Sequence, residues 1–499
     1  MSRQHPLPLF FIAAMEYLEA HGKKIWSIAP CMWSAPKYAY LRGATEAAIR
    51  AAEDEAKKRN VARVRAMLRV GKSSRRRTMS TKEKNSFTSS SLLLLADIVG
   101  SGVLAIPGAF AKLGWVLGTM FLLICAPLNL YTGILLARIR RHHPNATTYG
   151  ALAHDIFGEY GGYLGYGFLY VYIFLVLGEY QIVLAKSVQG VFYETRLCRP
   201  VAGIIASLIV TLSTQTRTMH KIAFLSIVSV VTIFLVLVIC LDDIAKSSGD
   251  HEHDVVASVS FWDFFGAMSS FVFAWSGQKI YLEIMNEMKE PEDFPKSLYG
   301  AYPFILLGYI IVCCVTYGFL GRDAPGYLLD ALDYDWKRSF ASCMMFLHMQ
   351  ISYTLNMQVL ARAVHRWWDP SAASTLSGSF AHVAKSRWQW FTITGIITFN
   401  AWLVSNLIPF FDDFVELVGA LLSSPLAFIG PCILFLKLAQ KTRLDVDPTE
   451  RVIILAIVTF GLSLVIFGTI DALRNVVDNS ETYGKPFDCF CETEECVVD

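Results

Sequence analysis

The stretch Asp97-Ile98-Val99-Gly100-Ser101-Gly102-Val103-Leu104-Ala105-Ile106-Pro107 decides how the chain is read. It lies inside an apolar run from about Phe87 to Leu113, long enough to cross a bilayer. The two glycines permit non-helical backbone, and the proline removes a donor from the helical ladder. Facing lipid, each freed amide or carbonyl would cost on the order of several kcal/mol, so a break at this depth requires burial in protein or a polar cavity. A discontinuous helix whose half-helix ends face a bound solute meets that requirement. A close helix–helix contact through small side chains meets it too, and a second broken span separates the two readings.

The 499 residues are 54% hydrophobic and 17% charged, where a soluble domain averages about a quarter charged. An all-α polytopic membrane protein follows. The net charge of +2, spread along loops, argues against nucleic acid as a partner. Cys125, Cys240, Cys313, Cys314, Cys343 and Cys432 lie in apolar runs and read as small hydrophobes. No CxxC pair or haem-attachment motif occurs, so no metal or cofactor is expected.

Three regions are expected: a basic tail over 1–86, a membrane domain over 87–473 and an acidic, cysteine-containing tail over 474–499. Leu7 to Ala14 is too short to span and reads as no signal peptide, while Ala44 to Val70 has the composition of a polar helix. About eleven spans fit bilayer length. They are 88–112, 115–138, 161–192, 200–216, 219–241, 259–286, 298–320, 339–361, 388–410, 413–437 and 450–473.

Alternate loops are basic: Arg138, Arg140 and Arg141; Arg217 and Lys221; Lys289 and Lys296; Arg362, Arg366, Lys385 and Arg387; Lys437, Lys441 and Arg443. The intervening loops are acidic, as in Asp242 to Asp254, Asp323 to Asp335, and Asp412 with Asp413. The positive-inside rule places the basic loops and the N-terminus in the cytoplasm and the C-terminus outside or in a lumen. An oxidising face would let Cys489, Cys491 and Cys496 pair with each other or with Cys198. The sequon at Asn145 falls on the cytoplasmic side and is expected to stay unmodified. Plasma membrane and vacuolar or lysosomal membrane remain equal alternatives.

The second break is in the sixth span, Phe271-Val272-Phe273-Ala274-Trp275-Ser276-Gly277-Gln278-Lys279-Ile280-Tyr281-Leu282-Glu283. A charge at bilayer depth costs roughly 2.5–3.5 kcal/mol by insertion scales, so this run belongs inside protein. A kink with Lys279 paired to Glu283 at i,i+4 is the local alternative. Two interrupted spans separated by four intact ones is the pattern inverted repeats place around a transport site.

Val99 to Pro107, with Ala109-Phe110 and Leu113-Gly114-Trp115, resembles the first-helix signature of the amino acid/auxin permease family. Phe273 to Gln278 resembles that family's sixth-helix break, and Glu287 to Lys296 its following loop. Ile408-Pro409-Phe410-Phe411, Gly419-Ala420, Pro425 and Pro431 are similar to its ninth and tenth helices. The resemblance implies a leucine-transporter-like inverted repeat with helices 1 and 6 broken, and transport of amino acids with protons or sodium.

On that basis the substrate carboxylate meets amides around Gly100, Ser101, Gly102 and Val103, at a half-helix N-terminus carrying about half a positive charge. Carbonyls near Phe273, Ala274 and Trp275, with Ser276, Gly277 and Gln278 beside them, face the ammonium group. Trp275 and Tyr180 form walls, each with ordinary packing as its alternative. Neutral L-amino acids are the expected substrates.

Proton-coupling candidates are the ionisable residues within spans: Asp97 first, then Glu179, with Glu283 and His348 behind. Each has a bland alternative: Asp97 as a helix cap, Glu179 paired to Lys186, Glu283 paired to Lys279, His348 bonded to backbone. A sodium site would use Val99 and Ser101 with Ser352 and Thr354. An enzyme is disfavoured, since no HExxH, GxSxG or Walker motif occurs. A non-transporting amino acid sensor on the same fold is the stronger rival.

Overall fold

The computed structural model describes residues 84–195, 197–217, 219–246, 251–373, 380–408, 410–482 and 487. The expectations for residues 1–83 and for Cys489, Cys491 and Cys496 fall outside them. The described part is helical throughout. In order come α1 (Phe87–Ile98), α2 (Gly102–His142), a short α3 (Tyr149–Phe157), α4 (Glu159–Val191), α5 (Arg199–Ser213) and α6 (Met219–Ile244). Then follow α7 (Phe261–Trp275), α8 (Gln278–Glu287), α9 (Phe294–Leu320), α10 (Trp336–Trp368) and α11 (Phe380–Leu407). The last two are α12 (Phe411–Thr442) and α13 (Pro448–Asp478).

Helix occupies each of the stretches expected from hydropathy. Among the described residues, six helices are long and apolar enough to cross a membrane, and α1 and α5 are shorter apolar helices. The others are cut short by a break or carry buried polar groups, such as His348, Ser352 and Asn356 of α10. Large apolar side chains face outward along the flanks: Leu208, Phe234, Phe304 and Leu455 are each more than half exposed. An apolar rim of this kind suits lipid as solvent.

Both interruptions fall where the residues demand them. The first leaves Val99, Gly100 and Ser101 between α1 and α2, and the second leaves Ser276 and Gly277 between α7 and α8. Counted along the spans expected from hydropathy, the breaks are five apart, the spacing an inverted repeat requires. Around them, α2 packs on α7 and α9, while α4 packs on α10, α5 and α11.

The line of α2 turns sharply at Gly114, whose φ of +74° is left-handed and favours glycine. The turn is pinned from outside: Trp115 N donates to Asp254 O at 3.1 Å and Val116 N to Val255 O at 3.0 Å. The loop carrying those carbonyls is itself held by Arg322, which grips Asp254 at 2.5 and 2.6 Å and Glu252 at 2.8 Å. In α12 the turns widen over Gly419–Ser423 and Pro425–Ile429, as a proline without an amide donor requires.

Gly114→Val is expected to lower stability by about 1–2 kcal/mol from the left-handed backbone alone, with more from a Cβ placed 3.0 Å from Asp254 O. Thermal unfolding of the detergent-purified protein reads this directly. An unchanged melting temperature would show that the turn does not depend on that conformation.

Candidate functional site

The two breaks touch. A Cβ added at Gly102 would lie 2.5 Å from Ala274 Cα and 2.9 Å from its Cβ, so the absent side chain lets α2 begin against the end of α7. The carbonyls freed at the two breaks share one cap. Tyr309 OH, from α9, stands 3.0 Å from Ile98 O and 2.8 Å from Ala274 O. One hydroxyl thus joins the C-terminal ends of α1 and α7, the accounting that broken backbone at membrane depth demands.

A buried ion pair crosses the same gap. Lys279 Nζ is 2.8 Å from Asp97 Oδ2, with side chains 4% and 1% exposed. Asn356 Nδ2 donates to Asp97 Oδ1 at 3.0 Å, and Lys279 also donates to Ser276 O at 3.3 Å. Ser352 Oγ donates to Ala96 O at 3.1 Å. Both Asp97 oxygens are therefore engaged, the condition under which a buried pair is tolerated. The alternative local pairing of Lys279 with Glu283 does not form. Nor does Glu179 pair with Lys186, which binds Asp330 at 2.7 Å. Glu179 instead accepts from Ser101 Oγ at 2.9 Å, and its other oxygen is buried without a hydrogen-bond partner.

Between the breaks lies a small cavity, with free volume for about one water. Of the residues singled out in the sequence, Asp97, Gly100, Ser101, Gly102, Tyr180, Phe273 and Ser276 line it. Five expected binding residues do not. Val103 is packed within α2, and Gly277 is directed toward Ile98 and Tyr281. Ala274 O is taken by Tyr309. Trp275 stacks on Tyr302 at 5.7 Å and meets Tyr309 edge-on at 5.0 Å, forming a layer behind the cavity. Gln278 Nε2 donates to Asn129 Oδ1 and Thr132 Oγ1 of α2, at 3.0 and 3.1 Å.

Tyr172, Val176 and Lys279 line the cavity without having been expected there. Tyr172, Val176 and Tyr180 are spaced i, i+4, i+8 on α4, a signal the sequence did carry. Among the remaining candidates, His348 Nδ1 lies 2.9 Å from the backbone Ser229 O, the bland alternative for that residue, and 2.9 Å from Ser229 Oγ. Thr354 Oγ1 donates to Gln350 O at 2.8 Å and meets Ser213 Oγ at 3.2 Å, away from the first break.

Paired breaks closing on one buried polar cavity define a polytopic membrane protein of the discontinuous-helix class. Over residues 83–474 the chain matches the family described as transmembrane amino acid transporter protein, and it belongs to that family. It is similar to the N amino acid transport system protein of Neurospora crassa, 23% identical over 416 residues covering 80% of this chain and 87% of that one. It is also similar to amino acid transporter AVT1B of Arabidopsis thaliana, 24% identical over 420 residues, 81% of this chain and 74% of that one. Amino acid permease 6 of the same plant is 25% identical over 414 residues, 72% of this chain and 84% of that one.

Replacing Lys279 with Met strands the Asp97 carboxylate and is expected to destabilise the protein by about 3–5 kcal/mol, the usual penalty for breaking a buried pair. Adding Asp97→Asn removes the stranded charge and should recover most of that loss. A double variant no more stable than the single one would mean that the pair is not what holds the breaks together.

Proposed function

We propose that this chain is a secondary active transporter that moves neutral L-amino acids by alternating access in symport with protons. The observation that carries the reading is the pair of half-helix ends meeting at the cavity between Gly100–Gly102 and Phe273–Ser276. A half-helix N-terminus at Gly102 suits a carboxylate. Ser276 and the Tyr180 hydroxyl supply further polar partners. Asp97 and Lys279 cancel each other at the cavity wall, so a neutral side chain is the better match than a charged one. The family relationship and the names of the relatives point to amino acids as the cargo.

Glu179 is the coupling residue in this reading, ahead of Asp97. Asp97 is held by Lys279 and Asn356, whereas Glu179 has a single hydroxyl donor and one orphaned oxygen. Glu179 is thus the one of the two carboxylates with an oxygen free to take a proton in this reading. Its bond to Ser101 links its protonation to the first break. The Lys279 ammonium already neutralises Asp97, the carboxylate at the first break, and Thr354 is turned away from that break toward Gln350 O and Ser213; both favour protons over sodium in this reading. The basic loops face the cytoplasm in this reading, supported by a disulfide at Cys198 in the opposite set of loops.

Proteoliposomes with an imposed proton gradient, then an imposed sodium gradient, test the proposal with labelled neutral amino acids. Acid-driven accumulation is expected, and Glu179→Gln should reduce it about tenfold or more while leaving substrate exchange intact. Binding without accumulation would favour the sensor, and accumulation that requires sodium would overturn the proton assignment. Gly102→Val should abolish both transport and exchange, because its side chain would part the two breaks.

A further inference from the structure

The connector between α5 and α6 gives up its carbonyls to side chains of two other helices. Trp390 Nε1 of α11 donates to Thr214 O at 3.0 Å, Gln358 Nε2 of α10 to Thr216 O at 2.8 Å, and Arg362 of α10 to Arg217 O at 3.0 Å. Backbone fixed at three points sets the direction of the half-buried Arg217 side chain. Its guanidinium lies over the Trp390 ring, 5.2 Å from the centroid, and donates to Ser386 Oγ at 3.0 Å and His365 Nδ1 at 3.5 Å. The Gln389 oxygen, 3.2 Å from His365 Nε2, makes that nitrogen the donor and leaves Nδ1 to accept.

None of these partners is an acid. The nearby carboxylates are engaged by other cations: Glu287 by Arg362 at 3.2 Å and Asp369 by Lys385 at 2.8 Å. Among the described residues, no carboxylate pairs within 4.0 Å with Arg217 or with Arg387, which follows Ser386 in the chain. Burial, then the Arg362 and Arg387 charges, holds the Arg217 pKa below the usual arginine value. A guanidinium aimed by neutral acceptors and crowded by like charges is short of an anion.

The surroundings indicate where that anion comes from. Trp367 and Trp368 end α10, Trp388 lies in the second turn of α11, and all three are exposed. Exposed tryptophan marks the depth at which headgroups begin. An anion at that depth, among basic loops, belongs to lipid. Two guanidiniums without an acid match a phosphomonoester, which carries about two negative charges, better than the single charge of a phosphodiester.

We propose that Arg217 and Arg387, backed by Arg362, bind the phosphomonoester of a phosphorylated inositol lipid on the basic-loop face. Arg217 supplies the oriented fork, and the exposed Arg387 closes on the phosphate from outside. The bound lipid ties the α5–α6 connector to α10 and α11, beside the Arg362–Glu287 contact at the end of the second broken span. The site is independent of the cargo.

The test measures binding of dioctanoyl phosphatidylinositol 4-phosphate to the full chain in detergent by native mass spectrometry. Dioctanoyl phosphatidylinositol, dioctanoyl phosphatidylserine and free inositol bisphosphate are run beside it. The phosphorylated lipid is expected to bind about tenfold or more tighter than each of the three, as for one further charge-assisted contact. Arg217→Gln and Arg387→Gln should each weaken it about tenfold, and Lys437→Gln, in another basic loop, should not. Arg387 is exposed, so its variant decides the matter if Arg217→Gln fails to fold. No binding, equal binding of the unphosphorylated lipids, or an equal loss in Lys437→Gln would overturn the site. Free inositol bisphosphate binding as tightly as the lipid would overturn the lipid as its source.

Discussion

Backbone that stops being helical inside a membrane must find its hydrogen bonds within the protein, and every feature of the centre of this molecule answers that constraint. The Asp97–Lys279 pair spans the two interruptions, so neither can relax without exposing a charge to the other. Asn356 and Ser276 O take up the remaining valences of the pair, and Tyr309 covers the two carbonyls left by the breaks. In a low-dielectric interior such a pair is tolerated because both carboxylate oxygens are engaged and the ammonium has a second acceptor. Its role here is to register α1 against α8 more than to add stability.

Two carboxylates flank the first break in opposite circumstances. Asp97 is compensated by a full charge; Glu179, across the break, has one hydroxyl and an empty second oxygen. That asymmetry leaves one carboxylate fully engaged and the other with an oxygen to spare.

The broken helices are also held at both ends. Just before α1, Asn85 exchanges backbone hydrogen bonds with the end of α8, Asn85 N to Glu287 O and Lys289 N to Asn85 O, both at 2.9 Å. At the other end, Lys112 of α2 binds Glu416 of α12 at 2.7 Å. The loop gripped by Arg322 fixes the turn at Gly114. One end thus ties the two interrupted spans to each other, and the other ties the first to its neighbours. In the alternating access proposed above, opening the cavity toward one face would break one set of contacts while keeping the other.

The helical stretches and the two breaks were legible in the residues, because hydropathy, glycine and proline act locally; the lining by Gly100, Ser101, Gly102, Tyr180, Phe273 and Ser276 was expected through the family resemblance. The charge pairing was not. At i,i+4, Lys279 and Glu283 satisfy the local rule, and only the approach of α1 to α8 puts Asp97 closer. Trp275 is an aromatic beside a break, which says nothing of the face it presents until Tyr302 and Tyr309 are in place behind it. By itself the sequence determined which segments span and where they are interrupted, since those follow from the cost of placing a given residue in lipid. Which charges meet, which carboxylate is left uncompensated and which aromatics face the cavity were decided by tertiary structure, because they depend on distances between residues far apart in the chain.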